Sequence, residues 1–589
     1  MAILISEVRI SGFRGIANLE MSLPKVAVLI GQNNAGKTSI IKALHLALGD
    51  YSRHLTDEDF YIDNNDDIQT EIIIDILIVP VDENSKRINV FLDEWVEVFG
   101  ELVQADIEGN DFVGIRTLCE KDSIKGGFKV TRYPLSRWGE FESWTDDSAK
   151  INNKIPKRID VMPFIAIDAQ RDIHQELREK TSYIGKVLSD INFESDDKDA
   201  LEELIAELNE SAIDKSTVLS DLKAHLDTLS QSFEGQGQAD ITPFPKKIRD
   251  LAKRFSIHFG EDATNSFSME YHGMGTRSWA SMLTVKAFIE VLEKKHTAEE
   301  ECFFPIIAAE EPEAHLHPNA QRTLYKQLTD IKGQTIISSH SPYLASECRL
   351  QDLRSLRNLR GGVQVKSIGD GFTPEDINKL QRDVMRFRGE ILFSKAIILF
   401  EGVTEEQLAP IFFEKYFGKS CYAVGVNCVS VAGKNYPPFI KLAYRLGIPV
   451  CIVSDNDGRT QIQVGSQIRK IEAEFDCQLS PDVFSVNYLN QGCDIEKELV
   501  NHVGILEELK KALVLLGING NDDPRFIESK TNEIEQFDSI RVLTELAKVK
   551  SGYSGFLAEI ISDSEKEPNE LIPQAFIDAF ESIREWSVL

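Results

Sequence analysis

The segment GQNNAGKTS, residues 31–39, constrains the fold of this 589-residue chain more than any other segment. It matches G-x-x-x-x-G-K-[ST] and lies between the apolar run KVAVLI and the periodic segment IIKALHLAL, which predict a strand and a helix. In that position small residues let backbone N–H groups surround phosphates, and the start of the helix adds its dipole. The segment therefore predicts a nucleotide triphosphate site in an α/β fold; the alternative is a Gly-rich turn.

Two residues of this loop are expected to carry its chemistry. Lys37 should reach the outer phosphates, and Thr38 should offer its hydroxyl to Mg²⁺. The predicted nucleotide-binding residues of the loop are Gly31, Asn33, Asn34, Gly36, Lys37, Thr38 and Ser39.

Two later segments supply the side chains that nucleotide hydrolysis needs. FFPIIAAEEPEAHLHP predicts a strand that ends at Glu310 and Glu311, and QTIISSHSPYL predicts another that ends at His340. We expect Glu310 to hold the Mg²⁺ shell, Glu311 to polarise the attacking water and His340 to sense the γ-phosphate. Each segment alone is also consistent with a capped strand followed by a polar loop, but their order after the phosphate loop favours a nucleotide site.

Composition limits the location and the partners. The formal charge of −30, from 65 Lys+Arg against 95 Asp+Glu, argues against a surface coated with phosphate-binding cations but leaves room for a local basic groove. No stretch approaches the roughly 18 apolar residues of a membrane helix, and Glu7 and Arg9 interrupt the first run too early for a signal peptide. The eight cysteines form no CxxC pair, which favours buried, reduced thiols. We expect a cytoplasmic protein with no membrane partner.

The chain is long enough for several compact units. Residues 1–171 and 251–370 combine strand and helix signals and predict two parts of one α/β domain. The charged helical sequence of residues 172–250 predicts an insertion between them, for which a solvated helical hairpin and a dimerisation element are both open. Residues 371–394 predict a helical connector, and residues 395–589 predict a second α/β domain with a helical extension.

The second α/β domain has an acidic site of its own. Residues 395–458 predict β-α-β-α-β with parallel strands, from KAIILFE, CYAVGVNCVSV and IPVCIVSDNDG as strands and TEEQLAPIFFEKYFG and YPPFIKLAYRLG as helices. Ligands bind at the carboxyl ends of such strands, where Glu401, Asp455 and Asp457 fall. Converging carboxylates are costly without a cation, and oxygen ligands suit Mg²⁺ or Mn²⁺. The sequence therefore predicts a divalent metal site.

These motifs carry a family resemblance. ISGFRG, GQNNAGKTS, EEPEAHLHP and SSHSP resemble the ATPase head of the ABC class in its RecF/SMC-like branch, although Glu310 stands where that class most often has aspartate. EGVTEE, which holds Glu401 and Glu405, together with SDNDG resembles the Toprim domain of topoisomerases, primases and certain nucleases. A RecF/SMC-like head joined to a Toprim domain resembles the overcoming-lysogenization-defect (OLD) nuclease family, which includes the nuclease subunit of the Gabija defence system.

The resemblance implies further site residues. HGMGTRSWASML, expected just before a helix, is the candidate ABC signature segment with Gly275 and Ser278; the alternative is a Gly-rich helix entry. Similarity to two-metal nucleases implies that Asp494 and Glu496 bind metal and that Lys550, with Lys548 as the fallback, stabilises charge. The implied metal ligands are Glu401, Asp455 and Asp457 in one group, Glu405, Asp494 and Glu496 in the other, and Thr38 for the ion that accompanies ATP. The same six acids, Lys550 and Glu311 form the implied catalytic set.

The function implied by the resemblance is an ATP-binding, Mg²⁺- or Mn²⁺-dependent DNA endonuclease that forms a dimer or tetramer and acts in anti-phage defence. An SMC/RecF-like DNA-repair ATPase with a non-cleaving Toprim domain, and a nuclease that cuts RNA, are the alternatives. A helicase-like partner is expected for the two-component Gabija type and not for the stand-alone type, and both types stay open. The sequence leaves open whether ATP activates or restrains cutting.

Overall fold

The computed structural model describes residues 3–63, 65–122, 126–146, 154–155, 159–168, 195–217, 220, 258–259, 267–268, 273–359, 362–368 and 372–586. These residues form helices and both parallel and antiparallel sheets, which confirms the predicted α/β class. In this described part of the chain, no helix has both the length and the apolar content to span a membrane.

The strands are β1 (Ile3–Phe13), β2 (Ile16–Ser22), β3 (Val26–Gly31), β4 (Glu71–Pro80), β5 (Gln104–Ala105), β6 (Asp111–Lys121), β7 (Phe128–Leu135), β8 (Phe164–Asp168), β9 (His258–Phe259), β10 (Phe267–Ser268), β11 (Ile306–Glu310), β12 (Gln334–Ser339), β13 (Leu353–Leu359), β14 (Gly362–Ser367), β15 (Ala396–Phe400), β16 (Val426–Ser430), β17 (Val450–Ser454) and β18 (Phe484–Tyr488). The helices are α1 (Lys37–Leu48), α2 (Asp93–Phe99), α3 (Ser195–Lys215), α4 (Met274–Ala298), α5 (Pro318–Thr329), α6 (Pro342–Glu347), α7 (Pro374–Leu380), α8 (Val403–Phe417), α9 (Pro437–Leu446), α10 (Thr460–Glu474), α11 (Ile495–Asn501), α12 (Val503–Ile518), α13 (Pro524–Glu535), α14 (Ser539–Val549), α15 (Ser554–Asp563), α16 (Pro568–Leu571) and α17 (Gln574–Glu585).

Two sheets build the N-terminal part of the protein. The first sheet is antiparallel, with order β2-β1-β4-β6-β5 and β7 paired to β6. The second sheet has order β14-β13-β3-β12-β11-β8, in which all pairs except β13-β14 are parallel. Every residue of β3 is buried, as expected for a parallel strand covered on both faces. The parallel register brings the ends of β3, β12 and β11 to one edge of the second sheet.

The C-terminal sheet has order β16-β15-β17-β18, with all strands parallel. The predicted parallel β-α-β-α-β order is confirmed, but two details were wrong. Residues 422–424 form a short 3-10 turn, so the second strand begins only at Val426, because Gly425 adopts φ 80° and interrupts the extended backbone. Strand β18 was missed, since its short apolar alternation lies in a mainly helical region.

One continuous core joins the second sheet to the C-terminal sheet. Alternate residues of β15 point to opposite faces, so Ile397 and Leu399 belong to the same buried cluster as residues of the second sheet such as Ile307 and Ile337. Ile398 and the other residues of the opposite face pack against the C-terminal helices. The C-terminal sheet therefore shares one core with the second sheet on one face and another core with the C-terminal helices on the other.

Part of the predicted insertion is helical in the structure. Helix α3 lies inside the interval 172–250 and is followed by residues 216–217 and 220, while the rest of that interval lies outside the described residues. Its dimerisation role stays a prediction, as do the domain boundaries.

Candidate functional sites

The first candidate site lies where β3, β11 and β12 end. Gly31 closes β3, and helix α1 begins at Lys37. Glu310 closes β11, and His340 directly follows β12. The structure therefore brings the phosphate loop, the acid pair and the histidine to the same edge of the second sheet, as the sequence predicted.

Backbone geometry explains the glycines of the phosphate loop. Gly36 precedes α1 with φ 97°, and Asn34 also has a positive φ of 62°. A Cβ on Gly31 would lie 2.4 Å from the carbonyl oxygen of Leu356 on the neighbouring strand β13. Side chains at these glycines would therefore strain the turn or push the loop away from the sheet. Asn33, Asn34 and Thr38 are exposed, and Ser39 is half-buried.

The ammonium of Lys37 is held inside the loop. It donates 2.8 Å hydrogen bonds to the carbonyl oxygens of Gly31 and Gln32. Burial lowers the pKa of Lys37 to about 8, against the attraction of Glu311 and Glu313. A phosphate oxygen would replace the carbonyls as the partner of this cation, so the loop fits a nucleotide triphosphate.

The two glutamates of the acid pair have different partners. Glu310 forms a 3.2 Å ion pair with Lys42 of α1. Glu311 has φ 44° and lies 3.4 Å from Nε2 of His340. Burial and the charge of Lys37 lower the pKa of His340. Glu311 and His340 therefore stand together over the loop, while Glu310 lies against the helix that follows it.

Sequence reasoning missed Glu313. Its Oε1 accepts hydrogen bonds from the Ser339 hydroxyl at 2.7 Å, from the His340 N–H at 2.8 Å and from the Ser341 N–H at 3.2 Å. Its Oε2 is buried with no hydrogen-bond partner, and burial raises the pKa of Glu313. Glu313 therefore fixes the turn that carries His340. The only sequence signal was a third acid two residues after the pair, which local pattern does not mark as buried.

The candidate signature segment differs from its prediction. Helix α4 already begins at Met274, so Gly275 lies inside the helix and not before it. Gly273 is the N-cap, and a Cβ on Gly275 would lie 2.5 Å from the carbonyl oxygen of His315. Gly275 thus permits close packing of the helix against the loop after the acid pair, and it does not mark the start of the helix. Ser278 lies on the same helix, but its side chain and residue His272 lie outside the described residues.

The second candidate site lies at the ends of β15 and β17. Glu401 follows β15, and its Oε1 accepts hydrogen bonds from the Ser454 hydroxyl at 2.6 Å and from the Asp455 N–H at 3.2 Å. A Cβ on Gly402 would lie 2.8 Å from Oε2 of Glu405. The glycine after Glu401 therefore lets the Glu405 carboxylate fold back over the end of the strand.

The carboxylates in this site are buried against one another. Burial, with the charges of Glu401 and Glu405, raises the pKa of Asp455 to about 8. Burial, with the charges of Glu496 and Glu401, raises the pKa of Glu405 to about 7. By contrast, a 2.6 Å hydrogen bond from Thr460 lowers the pKa of Asp457. The site therefore contains two carboxyl groups, Asp455 and Glu405, whose ionised forms are disfavoured by burial and by neighbouring acids.

The residues present fit a divalent cation. Oδ1 of Asp455 is buried with no hydrogen-bond partner, and the six predicted metal ligands are all carboxylates, whose oxygens Mg²⁺ and Mn²⁺ prefer. In the described part of the chain, no three of these carboxylates have ligand atoms within 4.8 Å of one another. Side-chain rotation would have to draw them together around an ion. Another set that meets this distance, the half-buried His296 with the exposed Glu299 and Glu301, comes from the end of α4 and the segment before β11 and has no second feature of a site.

Asp494 and Glu496 also belong to this cluster. Asp494 caps helix α11, because its Oδ1 accepts a 2.9 Å hydrogen bond from the Lys497 N–H, and its carboxylate pairs with Lys497 at 3.0 Å. Burial raises the pKa of Glu496, which interacts with the buried Tyr553. Asp494 adds to the charge that raises the pKa of Asp455. The structure thus brings all six predicted acids into electrostatic contact.

Lys434 is a site residue that the sequence analysis missed. Its ammonium lies 3.4 Å from Oδ1 of Asp457 and 3.9 Å from Oε2 of Glu401, and it also donates to the Thr460 hydroxyl. It comes from the loop after β16, which no acidic motif marks. The only signal was a lysine next to a glycine just beyond a predicted strand.

The two candidate C-terminal lysines have different surroundings. Lys548 pairs with Glu545 at 2.8 Å on the exposed face of α14. Lys550 is exposed, has φ 50° and begins the turn Lys550–Tyr553. That turn leads directly to Tyr553 beside the acidic cluster, which favours Lys550 over Lys548.

Comparison with known proteins adds family information. The family described as "Protein of unknown function (DUF2813)" matches residues 3–384, and "Overcoming lysogenization defect protein-like, TOPRIM domain" matches residues 392–457. The chain is 25% identical over 494 residues to the OLD nuclease of Thermus scotoductus, covering 77% of this chain and 82% of that protein. It is 23% identical over 512 residues to the Old nuclease of Escherichia phage P2, covering 83% of each. It is 22% identical over 517 residues to the endonuclease GajA of Bacillus cereus strain HuB5-5, covering 74% of this chain and 71% of GajA.

Proposed function

Because the chain belongs to the DUF2813 family and carries an OLD-like Toprim domain, we propose that it is an ATP-binding, metal-dependent DNA endonuclease. The matches confirm the resemblance to OLD family nucleases that the motifs predicted. The observation that carries the proposal is the buried carboxyl oxygen of Asp455, which has no hydrogen-bond partner while four other acids act on the same carboxyl group. A purely binding domain has no reason to keep such a cluster of like charges.

In phosphodiester hydrolysis, water attacks phosphorus, the bond from phosphorus to the leaving oxygen breaks, and that oxygen gains a proton. Two divalent ions, when bound, activate the water and stabilise the leaving oxygen. Glu401, Asp455 and Asp457 would hold one ion, and Glu405, Asp494 and Glu496 the other. The backbone N–H of Asp455 and the Ser454 hydroxyl orient Glu401 for this task.

The cations of the site would stabilise the negative charge that develops on the phosphate. Lys434 lies beside Asp457 and Glu401, and Lys550 begins the turn that reaches the cluster. Each would donate to a phosphate oxygen of the substrate and stabilise its additional negative charge as water attacks.

ATP would act at the first site and regulate the second. Arg357 lies on β13 next to Leu356, which pairs with Gly31 of the phosphate loop. Its guanidinium donates 3.0 Å hydrogen bonds to the carbonyl oxygens of Ser394 and Lys395, and it also donates to that of Gly447. Residues of the loop and of this contact line one cavity of about 320 Å³. Movement of the loop around a nucleotide would therefore reach the backbone that precedes β15.

The wider biological role is part of the same proposal. Relatives named OLD nuclease and endonuclease GajA support nuclease activity, and DNA as the substrate and anti-phage defence as the setting are proposed from the resemblance to the OLD family. A homo-oligomer, dimer or tetramer, would pair the α4 segment with the phosphate loop of a second copy. The non-cleaving repair ATPase and the RNA-cleaving nuclease remain the competing functions.

The test is cleavage of supercoiled and linear plasmid DNA by the purified protein in Mg²⁺ or Mn²⁺, with and without ATP. Glu401→Ala and Asp455→Ala should remove cutting, and the effect of ATP on the wild type gives the sign of regulation. An RNA substrate of the same sequence, tested in parallel, identifies the RNA-cleaving alternative. Absence of cutting by the wild type on both substrates would favour the repair ATPase.

A further inference from the structure

The segment that leads into the C-terminal sheet carries an exposed aromatic ring between two arginines. Residues 381–385 form a π-helical turn, a feature often found at functional sites, in which Val384 and Met385 are fully buried. These two side chains anchor the segment in the core. Phe387 nevertheless has 69% of its surface exposed. Phe387 is therefore exposed on a segment that its buried neighbours hold in place.

The same segment borders the acidic site on two sides. Oδ2 of Asp383 accepts a 3.1 Å hydrogen bond from Asn435, the residue after Lys434. Arg388 pairs at 2.8 Å with Glu406, the residue after Glu405. The segment is therefore fixed to the loop that carries Lys434 and to helix α8, which carries Glu405.

Arg386 differs from its neighbouring arginines. Arg382 pairs with Asp383, and Arg388 pairs with Glu406, but Arg386 has no ion pair with any carboxylate that the structure describes. Its guanidinium carbon lies 5.4 Å from the ring centroid of Phe387. Arg386 is exposed. It places positive charge beside an acidic cluster in a chain of net charge −30, where a polyanion would otherwise be repelled.

We propose that Arg386 and Phe387 bind a single-stranded stretch of DNA next to the phosphodiester that is cut. Phe387 stacks on an unpaired base, and Arg386 contacts the adjoining phosphate. An aromatic ring next to a cation is the recurring combination in proteins that bind single strands. This proposal rests on the proposed nuclease function. It adds the position from which the DNA strand enters the acidic site.

Binding, measured without cutting, tests the proposal. The full chain is titrated against a fluorescein-labelled single-stranded oligonucleotide and its duplex in Ca²⁺, with substrate integrity checked on gels. Phe387→Ala should weaken single-strand binding by about 5- to 150-fold, the range expected for one stacked base. Phe387→Trp should restore it. Arg386→Ala should weaken binding and lower the slope of log Kd against log salt by about 0.7.

Matched controls separate this role from general effects. Ile107 is a fully exposed apolar residue on the β5–β6 turn, and Arg525 is an exposed arginine without an ion pair among the described residues, so Ile107→Ala and Arg525→Ala should bind like the wild type. All variants should melt at the wild-type Tm, since the altered side chains are exposed.

Three outcomes contradict the proposal in different ways. If the wild type binds and cuts DNA while Phe387→Ala and Arg386→Ala match the control variants, the surface is not a DNA site and the nuclease function stands. If those variants keep DNA binding but change the oligomeric state in sedimentation, the surface is a protein contact. If the wild type neither binds nor cuts DNA, the proposed function itself fails.

Discussion

The backbone N–H of Asp455 donates a 3.2 Å hydrogen bond to the carboxylate of Glu401, which joins the ends of two neighbouring parallel strands. The same Glu401 oxygen accepts from Ser454 at 2.6 Å, so the protein orients Glu401 by its own groups. The side-chain oxygen Oδ1 of Asp455 is left buried without a partner. Because Glu401 has two donors from the protein and Oδ1 of Asp455 has none, we expect the two acids to respond differently to mutation.

Asp455→Asn should remove metal binding and stabilise the metal-free protein. The amide keeps the shape of the side chain but carries no charge, so repulsion within the cluster falls while one metal ligand becomes weaker. We expect Mn²⁺ affinity to fall by at least about 100-fold, beyond the usual loss for residues that only support a ligand. Calorimetric titration with Mn²⁺ measures the affinity, and thermal melting at pH 8 with and without Mn²⁺ measures the stability. An unchanged Mn²⁺-dependent rise in Tm would show that Asp455 is not a ligand.

Metal affinity should rise with pH. The folded protein raises the pKa of Asp455 to about 8 and that of Glu405 to about 7, above their ordinary values near 4. These groups hold protons that the unfolded chain releases, so their contribution to the free energy of unfolding is greatest below about pH 4, falls as pH rises and levels off above about pH 8. A metal ion must displace the same protons.

Calorimetry in buffers of different ionisation enthalpy checks this pH dependence. Mn²⁺ binding should release protons near pH 6, release fewer near pH 9, and become tighter between those values. An affinity that is constant over this range would contradict the raised pKa values.

Lys434→Ala should reduce cutting without reducing metal binding. The ammonium lies 3.4 Å from Asp457 and 3.9 Å from Glu401, where it partly neutralises the ligands and competes with an ion. Its removal should leave Mn²⁺ affinity equal or higher, while the turnover rate falls by about 10²- to 10³-fold, as for other donors to a developing charge. The exposed Lys419→Ala serves as the control. Weaker Mn²⁺ binding in Lys434→Ala would assign the lysine a structural role.

Replacement of Lys550, but not of Lys548, should impair cutting. Lys548 already pairs with Glu545 on an exposed helix face, whereas Lys550 begins the turn that ends at the buried Tyr553. Lys550 has φ 50°, so alanine there adds backbone strain, and Lys550→Gly provides the variant without that strain. Both Lys550 variants should lose activity, while Lys548→Ala should keep it. Full activity of Lys550→Gly would show that a different cation stabilises the charge during cutting.

At the first site, Lys37→Ala should abolish ATP binding, because it removes the cation that the loop holds between Gly31 and Gln32. Glu311→Ala should keep ATP bound and slow its hydrolysis, since Glu311 stands beside His340 and not against the loop backbone. Equilibrium binding of a fluorescent ATP analogue and phosphate release measure the two effects. Wild-type ATP affinity in Lys37→Ala would contradict the phosphate-loop assignment.

The nucleotide loop, the acid pair and the acidic strand ends were predictable because each is a local pattern. Strand–loop–helix order places Lys37 and Thr38, and apolar runs that end at Glu310 or Glu401 place acids at the ends of parallel strands. Short-range spacing is enough for these residues, since the β-strand and the helix that follows it fix the geometry between them.

Other site residues depend on contacts between distant segments. Glu313 becomes buried only when the loop after β11 packs against the turn after β12, and Lys434 reaches Asp457 only because β15 lies between β16 and β17. Gly275 had to be explained by its approach to His315, forty residues later in the chain, and not by local helix entry.

The sequence by itself determined the class of fold and the strand ends at which the two candidate sites lie, because strand periodicity and motif spacing are properties of neighbouring residues. Only the tertiary structure decided which cations face the acids at those strand ends, which carboxyl oxygen lacks a partner and where Phe387 is exposed. The physical reason is that burial and charge pairing arise from side chains that fold together from remote positions, and no short segment of the sequence contains both partners.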